Sequence, residues 1–106
     1  MGSEFGLVVK FVLKPGHEEA FDQLVSDTLP GISDREPGTL IYACHRVRDV
    51  PSERVFYELY RDREAFDAHG QQPHVRRFLA ERGQHLDRVE VDFLISARGK
   101  GLPPRN

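Results

Sequence analysis

The chain has 106 residues, enough for one domain with a single core and too few to enclose a large site unaided. Fifteen Lys and Arg against seventeen Asp and Glu leave a formal charge of −2, so there is no basic stripe to draw in nucleic acid or an anionic membrane. No apolar run approaches the roughly 20 residues that span a bilayer, the start lacks the basic-then-apolar order of a secretory signal, and Cys44 is the only cysteine. An internal disulfide and a thiolate-rich metal site are excluded, and a soluble, cytoplasmic protein is expected.

Residues 1–5, MGSEF, read like the remnant of a cloning site or a flexible N-terminus. LVVKFVL, Leu7 to Leu13, is a β-branched apolar run stopped by Lys14-Pro15-Gly16, and predicts a first strand. Ala20, Phe21, Leu24, Val25, Thr28 and Ile32 then recur at three-to-four spacing, which predicts a helix with one buried face. Pro30-Gly31 falls inside this pattern and should kink or loosen its last turns, and Glu36-Pro37-Gly38 ends it. Thr39 to Val47 and Glu53 to Arg61 have strand composition and are separated by the turn-rich RDVPS, as in a hairpin.

Asp62 can cap the next helix, with Glu64 in its first turn and Ala65, Phe66 and His69 along one side. Gly70 and Pro73 interrupt it before Val75, Phe78, Leu79 and Leu86 resume the period, so two helical pieces are expected. Val89, Val91, Phe93 and Ile95 alternate with polar neighbours as a fourth strand, and residues 98–106 read as a flexible tail. Residues 6–97 thus form a single α+β domain of order βαββαβ, a ferredoxin-like arrangement with both helical regions on one face of a four-stranded antiparallel sheet.

The other sheet face is left open. Strand alternation separates Val55, Tyr57 and Leu59 from Phe56, Glu58 and Tyr60, and Leu7, Val9, Phe11 and Leu13 from Val8, Lys10 and Val12. Assigning the more apolar set of each strand to the helices puts Phe56, Glu58, Tyr60, Val8 and Val12 on the open face. That face is too apolar for water, so a homodimer through it is expected, two sheets closing into a barrel with a cavity between them.

The runs EPGTLIYACHRV, RVFYELYRDREAFDAH and PHVRRF resemble the antibiotic biosynthesis monooxygenase domain family. Its pattern is Glu-Pro-Gly before a strand, a strand carrying Glu and an aromatic, a helix ending in Ala-x-x-His or Asp-x-His, and then Pro-His. The similarity runs from about Leu7 to Ile95. It implies a dimeric α+β barrel and, in the family's best-known branch, oxygenation of phenolic or quinol-like aromatic polyketides without flavin, haem or metal. The polyketide and haem-degrading branches use Trp and Asn in their pockets; here there is no Trp, the one Asn is Asn106, and Tyr60 occupies the aromatic position of the third strand.

Cofactor-free attack of O₂ on an aromatic needs a substrate anion, hence a base, and an apolar enclosure that keeps the radical pair from water. His69 has the intrinsic chemistry of that base; otherwise it is a half-buried helix residue bonded to a carbonyl or strand. Glu58 could be a base with a raised pKa or hold His69 in place; otherwise it pairs with Lys10 or Arg46. Tyr60 could donate to a substrate oxygen, and Tyr42 has similar character, with core packing as the plainer role of each. Phe56, Tyr42, Phe66, His74 and Phe78 are the candidate substrate-binding residues. HEEAF, residues 17–21, lacks the second His of a zinc helix, so no metal is expected. A non-catalytic small-molecule-binding or accessory protein of the same fold is the alternative function.

Overall fold

The computed structural model describes residues 3–102. The elements are β1 (Phe5–Leu13), α1 (Glu18–Arg35), β2 (Thr39–Val47), β3 (Val50–Tyr60), α2 (Arg63–Gln71), α3 (Pro73–Glu81), a 3₁₀ turn (Arg82–His85) and β4 (Leu86–Ile95). All strand pairs are antiparallel, in the order β2-β3-β1-β4. This is the expected βαββαβ ferredoxin-like fold. The expectations for residues 1, 2 and 103–106 lie outside the described residues.

Phe21, Leu24, Val25, Thr28 and Ile32 are buried along α1 as the spacing predicts, whereas Ala20 faces solvent. Pro30 sits inside a helix that runs on without a break to Arg35. Gly16 takes φ 82° in the turn after β1, a conformation that a Cβ would strain. The β2–β3 hairpin is tighter than RDVPS suggests. Val47 already pairs with Val50, and Asp49 takes φ 65°, which Asp tolerates better than most residues. Pro51 is accommodated in β3 because β1 pairs only as far as Glu53, so its missing N–H faces no β1 partner.

The register corrects the assignment of faces. Val9 pairs with Phe56, Leu7 with Glu58 and Phe5 with Tyr60, and directly opposed residues project to one side. Phe56, Glu58 and Tyr60 therefore lie under the helices with Leu7, Val9 and Phe11, each at most 6% exposed. The open face instead carries Val8, Lys10, Val12, Val55, Tyr57 and Leu59, joined by Ile41 and Ala43 of β2. Apolarity could not decide this, because both alternating sets of β1 and β3 are apolar. Buried Arg54 on the helix side, whose Nε and Nη2 lie 2.8 and 3.0 Å from the Asp22 carboxylate of α1, ties β3 to α1.

The core packs Phe11 against Phe21 and Phe56, with ring centroids 5.1 and 4.7 Å apart, and Phe78 closes over them from α3. Phe5 belongs to this structure, stacked on Phe66 at 4.7 Å. On β4 the apolar residues are poorly covered: Phe93 is 62% and Ile95 95% exposed. The helices shelter the middle of the sheet and leave this edge strand open.

Candidate active site

A cavity of about 420 Å³ lies within one chain, between the helix-covered sheet face and α2 with α3. It therefore does not require a space between two sheets. Its floor is Leu7, Val9 and Phe11, its roof Phe66, Val75, Phe78 and Leu79, and its open side Val91 and Phe93 of β4. Four polar side chains that matter chemically reach it: Tyr42, Glu58, His69 and Arg82.

His69 is placed by a chain of local causes. Asp62 caps α2, its carboxylate accepting from the Ala65 amide at 2.8 Å, which fixes where the helix begins. A Cβ on Gly38 would come within 2.6 Å of the Ala65 Cβ, so glycine there lets α2 settle against the loop before β2. One turn beyond Ala65, the His69 ring then meets Glu36 from that same loop. His69 Nδ1 lies 2.6 Å from Glu36 Oε1, which also accepts from the Thr39 hydroxyl at 2.7 Å. With Oε1 as the acceptor, Nδ1 carries the proton, and the ring's lone pair is left on Nε2.

The other Glu36 oxygen, Oε2, is 2.5 Å from His74 Nε2. The Glu36 side chain is only 3% exposed, so both of its oxygens are used in a desolvated setting. Glu36 was not a candidate on sequence, although its Glu-Pro-Gly run stood out as a motif. Nothing local in that run shows that two histidines from other elements will converge on it.

Glu58 departs from both pairings considered for it. Lys10 lies on the opposite face and pairs with Glu53 at 3.3 Å, and Arg46 lies 3.4 Å from Asp22. Glu58 Oε1 instead accepts from the Tyr60 hydroxyl at 2.6 Å. Burial pushes the Glu58 carboxyl above its ordinary range, against the opposing pull of the Tyr60 bond and of the nearby His69 and Arg82. Burial likewise raises both phenols, with Glu58 adding to the effect, so Tyr42 and Tyr60 keep their protons.

Arg82 is the second residue that sequence reasoning passed over. Its guanidinium lies over the Phe11 and Phe78 rings, 5.8 and 6.0 Å from their centroids, and it makes no hydrogen bond or ion pair among the described residues. Burial lowers its pKa, partly countered by Tyr42 and Glu58.

Of the sequence candidates, the cavity wall brings together His69, Glu58, Tyr42, Phe66 and Phe78. Tyr60 stands behind Glu58, 5.1 Å from the His69 ring centroid, Phe56 is in the core, and His74 faces a separate cleft; none of these three lines the cavity. Burial first, then Glu58 and Asp22, push the Cys44 thiol up to about 12. Among the described residues no group of three or more His, Cys, Asp or Glu is arranged to hold a metal ion, and no helix is long and apolar enough to cross a membrane.

Comparison with known proteins gives the following. The profile of the family described as antibiotic biosynthesis monooxygenase matches residues 5–81. Rv0793 from Mycobacterium tuberculosis is 27% identical with a TM-score of 0.85, over 93% of this chain and 100% of that one. PA3566 from Pseudomonas aeruginosa is 26% identical with a TM-score of 0.82, over 92% and 98%. A Caulobacter crescentus protein provisionally named an antibiotic biosynthesis monooxygenase shares the fold, with 20% identity, a TM-score of 0.85 and 92% coverage of both chains. No curated protein matches.

Proposed function

Because the chain belongs to the antibiotic biosynthesis monooxygenase family, we propose that it is a cofactor-independent monooxygenase acting on an aromatic, quinol or polyketide-like small molecule. The observation that carries this reading is the His69 ring on the wall of an apolar 420 Å³ cavity, with its Nδ1 held 2.6 Å from buried Glu36. A phenol or enol bound there gives its proton to Nε2, and the carboxylate stabilises the imidazolium that forms. The resulting anion is electron-rich enough to react with O₂, and the Phe11, Phe66, Phe78 and Val75 walls keep water from the radical pair. Tyr42, kept protonated, donates to a substrate oxygen, and Arg82 offsets developing negative charge. Glu58, raised by burial, is the second group able to move a proton.

A homodimer through the open sheet face belongs to the same proposal. Ile41, Ala43, Val8, Val55 and Tyr57 form an apolar stripe there, and exposed Leu94 extends it on the edge strand.

The test is oxygen uptake with a panel of phenols, anthrones and quinols without added cofactor. Uptake by the native protein should fall by roughly a hundredfold or more in His69→Ala. Equal uptake by both proteins removes His69 from the mechanism, and no uptake by either turns the assignment to a binding or accessory protein of the same fold.

A further inference from the structure

Glu36 does more than orient one imidazole. Its two oxygens are divided between two histidines that open onto different sides of the helical layer. His69 lines the main cavity, whereas His74 lines a separate surface cleft of about 310 Å³ with Pro30, Gly31, Asp34, Arg35 and Pro73. Between them runs an unbroken pair of short contacts, 2.6 Å from His69 Nδ1 to Oε1 and 2.5 Å from Oε2 to His74 Nε2. A carboxylate bridging two imidazoles can accept on one oxygen while it gives way on the other.

The seat of His74 explains a feature that fold alone does not. A Cβ on Gly31 would lie 2.5 Å from His74 Nδ1, in collision with the ring. Glycine inside a helix is disfavoured against alanine, and α1 carries it beside Pro30, a second residue that opposes helix. The missing side chain of Gly31 makes room for an imidazole whose Nε2 is on Glu36 and whose Nδ1 is at the cleft.

We propose that His69, Glu36 and His74 form a proton relay that carries the proton taken in the cavity through the helical layer to the cleft between α1 and α3, with His74 as its outer port. The proposal rests on His69 being the base of the cavity. A proton taken on His69 Nε2 displaces the Nδ1 proton to Glu36 Oε1. The gain weakens the hold of Glu36 on His74, which enters the step as the imidazolium with Nε2–H on Oε2, and His74 releases its Nδ1 proton to water at the cleft and is left neutral. One proton enters and one leaves, no bond between heavy atoms changes, and nothing is oxidised or reduced. A ligand filling the cavity blocks the direct route to solvent past Val91 and Phe93, which gives a second exit its use.

The relay is tested on the ligand-free protein, by nuclear magnetic resonance measurement of exchange between water and the His69 Nδ1 proton. In His74→Ala that exchange should slow by roughly tenfold or more, and added imidazole, which fits the vacated space, should restore it. Gly31→Ala, which keeps every titratable group and displaces only the ring, should slow it without rescue. A purely structural role predicts the opposite sign, because loosened packing speeds exchange. Exchange in His74→Ala that is unchanged, faster, or slowed without response to imidazole overturns the relay. A separate arm follows phenolate absorbance of 4-nitrophenol bound to the native protein and to His69→Ala. Equal ionisation in both overturns His69 as the base, and with it the relay as a path for a proton taken in the cavity, whereas unequal ionisation with failed exchange overturns the relay alone.

Discussion

At the residue scale the site is governed by which carboxyl is satisfied. Among the described residues the Glu36 carboxylate has three hydrogen-bond partners, whereas that of Glu58 has one and is raised by burial. A carboxyl whose folded pKa lies above its unfolded value binds more protons in the native state, so its contribution is favourable in acid and is lost as pH rises. Glu58→Gln should therefore match the native protein in stability near pH 4 and gain on it progressively towards about pH 7, as read by urea denaturation at each pH. Cys44 should resist iodoacetamide at neutral pH in the folded protein and react once it is unfolded, because its thiol is pushed up to about 12. His69, Glu58 and Tyr42 were legible as cavity residues because residue type and strand or helix position suffice to nominate them. Glu36 and Arg82 were not, since the importance of Glu36 comes from histidines 33 and 38 residues away and that of Arg82 from the rings it lies over.

At the scale of elements, the sequence is most readable where a local rule acts alone. Asp62 caps α2 as expected, and Asp62→Ala should cost about 1 kcal/mol in thermal or urea unfolding. The break between α2 and α3 at Gln72-Pro73 follows the proline, and β2 begins and ends where its composition suggests. The hairpin and α1 were harder. Pro51 reads as loop until it is known that β1 stops short of it, and Pro30-Gly31 reads as a kink in the last turns of α1 until the ring that needs the space is seen. In both places a neighbouring element overrides the local preference.

For the whole molecule, the fold class and element order followed from periodicity, while the sheet faces did not. Two apolar alternations on one strand leave a one-residue ambiguity that only cross-strand register resolves. That register now sets the test of assembly: Tyr57→Glu places a charge at the middle of the open face and should turn a sedimenting dimer into a monomer, with the cavity on the other face intact. Native protein that sediments as a monomer removes the dimer from the proposal. The packing of α1 on α3 carries a last consequence, for descent rather than for chemistry. Any change that adds a side chain at Gly31 must displace the imidazole at His74, so a lineage that keeps His74 in this seat is bound to keep a glycine opposite it.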